Sequence, residues 1–421
     1  MASWRGTSNT VSKALGLIAE GILDEVSVEK LADRLGVGER HLRRLFLQHL
    51  GASPIAVAQT RRVLFAKQLL HETTMPMKDV AMASGFGSVR RFHEVFQKLF
   101  QRPPKALRRK SQANAGGIEE GVVLLLRYRP PYDWESMLQF LAQRAIPEVE
   151  VVENGKYYRT VEINRRTGSI EVFHHVKRQS IGVKILFPDV QAFPAIVARV
   201  RRLFDLGADI ETIDSHLSGD PWLAPLVAKR PGLRAPGGWD GFELAIRAVL
   251  GQQIRVSAAR RLAGELVARY GKRVSSEYIV HPALKRVFPK AERLAADDLT
   301  ELGMPHSRRA TLRAVAEASA ANPNLFRPLG SIETTLQQLK RIRGIGEWTA
   351  QYIALRAIRE MDAFPSTDIG LMRGAARLDA KAGNPLALLD RAEAWRPWRA
   401  YAAQHLWAAA PEKPFTERFA Q

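Results

Sequence analysis

Two glycines one residue apart, Gly344 and Gly346, constrain this chain most, because of what flanks them. In the stretch Leu339–Arg373 (LKRIRGIGEWTAQYIALRAIREMDAFPSTDIGLMR) one apolar-periodic segment ends near Ile342 and another begins near Glu347. Gly344-Ile345-Gly346 therefore reads as a tight turn between two helices. Its amides are expected to point outward at the start of the second helix, where the helix dipole favours an anion such as a phosphate. Trp348 and Tyr352, four residues apart, share a face of that helix. Phe364-Pro365-Ser366-Thr367 breaks it, and Asp368 opens the next apolar run. Taken singly, the G-x-G is compatible with a plain helix–helix turn and Asp368 with an N-cap.

The charge says what kind of anion to expect. The 421 residues carry a formal net charge of +20, which points to a polyanionic partner, nucleic acid or an acidic membrane surface. No apolar run approaches a membrane span and no signal peptide opens the chain, so nucleic acid in the cytoplasm is the expectation. Cysteine is absent, which excludes disulfides, a thiolate nucleophile, zinc–thiolate sites and cysteine-bound iron–sulfur clusters. The length predicts two or three domains.

The combination G-I-G-x-W-T-A, followed about twenty residues later by Asp368 after a proline-containing loop, resembles the helix-hairpin-helix DNA glycosylases. The resemblance implies that Gly344, Ile345 and Gly346 hold the DNA backbone and that Asp368 catalyses cleavage of the N-glycosidic bond. It also implies a monovalent cation, Na or K, at the backbone of Ile342 and Gly344, and no other cofactor. Members that also cut the strand have a lysine nucleophile where Trp348 stands, so this chain is similar to the 3-methyladenine glycosylase II (AlkA) type, which only removes the base. Ala245–Ile254 (AIRAVLGQQI) and the W-x-P-W-R-x-Y-A-x-x-H-x-W run from Trp395 to Trp407 resemble the same family. They imply Gln253, with Ile254 beside it, as the wedge filling the gap left by an extracted nucleotide, and Trp407 as a pocket wall with Trp348 and Tyr352. Trp395 and Trp398 read as core. Gly370 and Ile369 stand where the family often has bulkier or aromatic residues, which implies a roomier or differently shaped pocket.

Ahead of this lie two similar units. Lys30–Val37 followed by Leu42, Leu45 and Phe46, and Asp79–Phe86 followed by Phe92, Val95 and Phe96, both have helix-turn-helix spacing, the second with one extra residue before its recognition helix. With Gly85-Phe86-Gly87-Ser88 and Gln101-Arg102-Pro103-Pro104, the pair resembles the AraC-type DNA-binding domain found in Ada regulators. Arg40, His41, Arg43 and Arg44 in the first unit and Arg90, Arg91 and His93 in the second are the candidate base-reading cations; a solvated basic face is the alternative. Ada-type sensing through a zinc-bound cysteine is ruled out by composition.

The expected organisation is an all-α double helix-turn-helix domain (1–112), a glycine-rich linker (113–121), a small α+β layer (122–204) and an all-α helix-hairpin-helix glycosylase domain (205–421) with a loosely packed tail. In the middle layer, Val122–Tyr128 and Ser180–Phe187 read as strands, Trp134–Arg144 and Val190–Phe204 as helices, and Tyr158–Ile163 with Ser169–His174 as a hairpin around Arg165–Gly168. Pro130–Trp134 and Arg202–Leu206 resemble the TATA-binding-protein-like N-terminal domain of AlkA-type enzymes. Phe140 then either reaches the base pocket or packs in the core.

The chemistry follows from the lesion. An alkylated purine substituted at N3 or N7 is cationic and a good leaving group, so one carboxylate is sufficient and aromatic faces attract the base. The leading expectation is a monofunctional glycosylase excising bases such as 3-methyladenine and 7-methylguanine from double-stranded DNA, acting as a monomer, with promoter DNA as a second partner. A regulator using the glycosylase part as damage sensor or clamp is the alternative. A glycosylase/lyase is disfavoured by Trp348.

Overall fold

The computed structural model describes residues 7–19, 21–108, 121–329, 331–379 and 384–410. The expected linker, Gly121 apart, and the tail beyond Pro411 lie outside them. The described elements as far as Leu107 are all helices. Val28–Arg34 with Glu39–Leu50 and Met77–Ala83 with Val89–Phe100 are two helix pairs on either side of the 19-residue helix Pro54–Glu72. Serine side chains cap three of these helices, Ser27 accepting from the Lys30 amide, Ser53 from Ala56 and Ser88 from Arg91. Leu42, Leu45 and Phe46 in the first unit and Phe92 and Phe96 in the second are buried, and the remaining faces of both second helices are turned outward.

A five-stranded antiparallel sheet follows, with β1 Val122–Arg127, β2 Glu150–Glu153, β3 Lys156–Ile163, β4 Arg166–His175 and β5 Ser180–Leu186 in the order β1-β5-β4-β3-β2. Helices Trp134–Arg144 and Phe193–Leu203 pack on it. The hairpin expected around Arg165–Gly168 turns earlier. Asn164 and Arg165 both have positive φ (50° and 65°) and Ile163 pairs with Arg166, a two-residue turn whose twist suits the strands. Gly168 is a strand residue opposite Val161. Strand β2 was not expected from the sequence: with only four residues on the sheet edge it carries little periodicity.

After Asp205 the described elements are all helices, with one isolated bridge outside them, Arg273 with Arg286. The helix Gly241–Leu250 has eight buried residues and runs through the middle of this part. A buried ion network ties it to the sheet: Arg159 reaches Glu243 at 2.9 Å, and Arg247 reaches both Glu243 and Glu150 at 2.5 Å. The helix-turn-helix part is also joined to the rest. Its second unit shares one continuous apolar core with the sheet. Gln68 and Glu72 bond the backbone of Leu125 on edge strand β1, and Lys13 forms an ion pair of 2.7 Å with Glu360.

His405, on the last described helix Arg399–Ala409, is 2 % exposed, and neither ring nitrogen has a partner among the described residues. Burial, reinforced by nearby Arg230, holds its pKa down to about 4. Above pH 6.5 the ring is neutral both folded and unfolded. Below it the unfolded chain takes up a proton that the native state refuses, so stability falls as the pH drops towards 4. Lowering the pH from 7 to 5 should cost about 2 kcal/mol through this residue alone. Urea unfolding at both pH values should show that loss in the wild type and a correspondingly smaller one in His405→Gln.

Candidate active site

The helix Ile332–Lys340, capped by Ser331, leads into the hairpin. Gly344 has φ 85°, and a Cβ there would run into the Thr311 side chain on helix His306–Ala321. Only glycine satisfies both constraints. Gly346 is the extended cap of the helix Glu347–Ile353, and both glycines are exposed. The expectation that all the turn amides point outward is corrected at Ile345. Its amide donates to the Ile342 carbonyl at 3.1 Å and its side chain is buried, because the turn closes on itself and the apolar residue follows the core. The Gly344 carbonyl accepts from Gln252 Nε2 (3.2 Å), which also reaches Thr349 Oγ1 (2.9 Å). Gln252 thereby locks the hairpin to the adjacent turn. In that turn Gln253 projects, exposed and with φ 55°, while Ile254 is half-buried against the core. An open groove of about 640 Å³, lined in part by Gln338, Arg341 and Arg343, runs beside the hairpin.

The second hairpin helix places Trp348 and Tyr352 on one face, their rings stacked at 5.4 Å and 16°. It then widens into a π-helical turn, Ala354–Ile358, and ends at Arg359 with φ 67°. Such widened turns recur at functional sites. This one carries Arg356, which is 1 % exposed.

Asp368 follows the Phe364–Thr367 loop, which is pinned by the bond from the Phe364 amide to Gln351 Oε1. Its carboxylate caps the helix Ile369–Ala376, accepting from the Leu371 amide at 3.0 Å. The cap is one contact of three. Trp407 Nε1 donates to Oδ1 and Trp348 Nε1 to Oδ2, each at 2.8 Å. Two indole donors from distant helices orient the carboxylate far more tightly than capping requires. Asp368 nevertheless stays partly exposed, with acceptor capacity left on Oδ2.

Gly374 lets the last helix approach, since a side chain there would strike the Leu406 carbonyl, and this brings Trp407 to Asp368. At Gly370 a Cβ would sit 3.0 Å from both Asp368 Oδ1 and Trp407 Cδ1. The room expected from Gly370 is therefore taken up by Trp407. Ile369 beside it is 61 % exposed. Tyr352 meets Trp407 edge-on at 6.4 Å, so Trp348, Tyr352 and Trp407 form one half-buried aromatic group around the carboxylate. Phe140 joins it through Arg356: the guanidinium carbon lies 4.6 Å from the Phe140 ring centre and 4.9 Å from that of Trp407. Trp395 is buried, and Trp398 packs against the same core.

Arg356 and Gln252 were not singled out from sequence. An arginine inside the apolar run Ile353–Ile358 was the available signal for the first. Gln252 had none, since it looks like its neighbour Gln253. On the helix-turn-helix surface Arg40, Arg43, Arg44, Arg90, Arg91 and His93 are exposed and His41 is half-buried. Arg43 pairs with Glu39 on its own helix, Arg90 with Glu94, and Arg44 contacts His41. Among the described residues no group of three or more His, Asp or Glu is arranged to hold a metal ion, and no helix is long and apolar enough to cross a membrane.

Three family profiles match this arrangement: a helix-turn-helix domain over residues 31–110, the AlkA N-terminal domain over 123–240, and the HhH-GPD superfamily of base excision DNA repair proteins over 246–400. A probable bifunctional transcriptional activator/DNA repair enzyme AlkA of Mycobacterium tuberculosis is 38 % identical over 411 residues, covering 96 % of this chain and 81 % of its own length. DNA-3-methyladenine glycosylase 2 of Escherichia coli is 33 % identical over 287 residues, 67 % of this chain and 95 % of that protein. A 3-methyladenine DNA-glycosylase from Archaeoglobus fulgidus shares the fold, with a TM-score of 0.59 over 68 % of this chain and 97 % of its own, at 22 % identity. The chain thus belongs to the AlkA family of helix-hairpin-helix DNA glycosylases, in the form that carries a helix-turn-helix DNA-binding domain ahead of the glycosylase.

Proposed function

We propose that this protein excises alkylated bases, 3-methyladenine and 7-methylguanine among them, from double-stranded DNA by hydrolysis at Asp368, without cutting the strand. The observation that carries this reading is the Asp368 carboxylate, partly exposed beside three half-buried rings and held by two indole N–H groups. The nucleotide leaves the stack, Gln253 and Ile254 fill its place, and the base enters the aromatic group. The C1′–N bond breaks with its electron pair going to the base. Asp368 stabilises the cationic sugar and orients the water whose oxygen adds to C1′. A clamp or sensor would need no carboxylate fixed in this way. Trp348 has no amine with which to form a Schiff base, and its N–H is already committed to Asp368.

The backbone is gripped at Gly344 and Gly346, where the backbone of Ile342 and Gly344 would hold a Na or K ion that would supply positive charge for a phosphate. The helix-turn-helix part reads promoter DNA through the exposed cations of its two second helices.

Base release from methylated duplex should fall by roughly 10²–10³-fold or more in Asp368→Asn, the scale of losing a fixed electrostatic stabiliser. Asparagine caps a helix about as well as aspartate, so folding and DNA affinity should be retained; undiminished release would remove Asp368 from the chemistry. Borohydride treatment during turnover should trap no covalent protein–DNA adduct, and an adduct would show lyase activity. Footprinting the full chain on upstream DNA at moderate salt should give discrete protection that Arg43→Ala with Arg90→Ala abolishes while base release from unrelated duplex persists. Uniform, salt-sensitive coating would leave those helices as a non-specific anchor.

A further inference from the structure

We propose that Gln252 is a positioning residue that joins the glycine hairpin and the wedge turn into one rigid unit, so that the grip on the DNA backbone is turned into displacement of a nucleotide. The inference rests on the base-excision reading above, with Gln253 as the wedge, and names a residue on which that step depends. Gln252 stands between the helix Gly241–Leu250 and Gln253, its main-chain amide donating to the Val249 carbonyl at 3.2 Å. Its side-chain Nε2 has two protons and directs them at two acceptors of the hairpin, the Gly344 carbonyl (3.2 Å) and Thr349 Oγ1 (2.9 Å). Thr349 directly follows Trp348, so the same amide ties the turn to the aromatic wall beside Asp368. From another side Arg308 Nη2 donates to the Gln252 carbonyl at 2.7 Å. Arg308 lies on the helix His306–Ala321, whose Thr311 side chain occupies the space a Cβ at Gly344 would need. The central helix, the hairpin and this third helix thus all meet at Gln252.

The consequence is mechanical. Gln253 projects from the turn with φ 55°, a left-handed conformation that a residue with a Cβ enters at a cost and keeps only where its neighbours over-determine it. The bonds converging on Gln252 supply that determination. Without them the turn relaxes and swings the Gln253 side chain away from the stack. Extracting a nucleotide loads the wedge with the energy of unstacking and unpairing. A wedge on a free turn yields to that load, whereas one tied to the hairpin passes it to the phosphates the hairpin holds. DNA lying over hairpin and turn also excludes the water that competes for these bonds. The task needs an amide: an ionised carboxylate of the same length has no proton for either acceptor.

The test compares single-turnover release of 7-methylguanine, at saturating protein, from two DNAs. In one the lesion is paired within a duplex; in the other it sits in a single-nucleotide bulge, where its extraction leaves no gap to fill. The ratio of the two rates is read for wild type, Gln252→Leu, Gln252→Glu, Gln253→Gly and the double variant Gln252→Leu with Gln253→Gly. A smaller folded fraction lowers both rates alike and leaves the ratio untouched. In Gln252→Leu and Gln252→Glu the duplex-to-bulge ratio should fall roughly 10-fold, the scale of two neutral hydrogen bonds. Gln253→Gly should lower it too, and adding Gln252→Leu should lower it no further, because no wedge is left to hold. A wild-type ratio in the Gln252 variants would make Gln252 a local brace and overturn the inference. A wild-type ratio in Gln253→Gly, or losses that multiply in the double variant, would overturn it as well by separating Gln252 from the wedge. Release from neither DNA by the wild type would instead bring down the base-excision reading itself.

Discussion

The geometry of the site depends on a buried carboxylate that takes no part in the chemistry. Asp205 is 6 % exposed and accepts from Arg359 at 2.5 Å, from the Tyr401 hydroxyl at 2.8 Å and from the Ala235 amide at 3.2 Å. Those donors belong to the end of the π-helical turn, the last helix and the loop before the central helix. Burial raises the Tyr401 hydroxyl well above its ordinary pKa, so it stays a donor. Removing one partner of a buried ionic pair typically costs about 3–5 kcal/mol, because the remaining charge is stranded. Asp205 thus ties together the two helical segments that bring Trp348 and Trp407 to opposite oxygens of Asp368.

At Asp368 the same economy of parts recurs. One carboxylate ends a loop, caps a helix and receives two indole protons. The tryptophans are therefore positioning donors as much as walls, and their ring faces serve the base only because their edges are anchored. Preorganised dipoles of this kind need no rearrangement when charge develops, and that is where much of the power of an active site resides. The close approach at Gly374 and Gly370 is the packing condition for it.

The turn that carries Arg356 is held from two sides by neighbouring residues. Arg359 is bound inward by Asp205, while Glu360, whose pKa burial raises, is bound by Lys13 from the helix-turn-helix part. Together with the apolar core shared by the second helix-turn-helix unit and the sheet, this makes the N-terminal part a packed neighbour of the glycosylase rather than a tethered appendage.

Much of this was legible in the chain. The glycine turn, the 348/352 spacing, the proline-broken loop before Asp368 and the two helix-turn-helix units are local patterns, governed by helix period, caps and turn chemistry, and these act within a few residues. Where local signals were weak the reading slipped, as with the short edge strand β2 and the turn at Asn164-Arg165, where two residues with positive φ turn the chain ahead of the expected Arg165–Gly168 stretch. The sequence by itself determined most of the elements, and it marked the carboxylate and the rings as candidates for one site. Only the tertiary structure decided that Trp348 and Trp407 bind that carboxylate, that Trp407 fills the space at Gly370, that Ile345 turns inward, and that Arg356 lies buried against the pocket walls. The indole and guanidinium contacts join residues 20 to more than 200 positions apart. They are set by how helices pack at close range, and no pattern along a single helix encodes that.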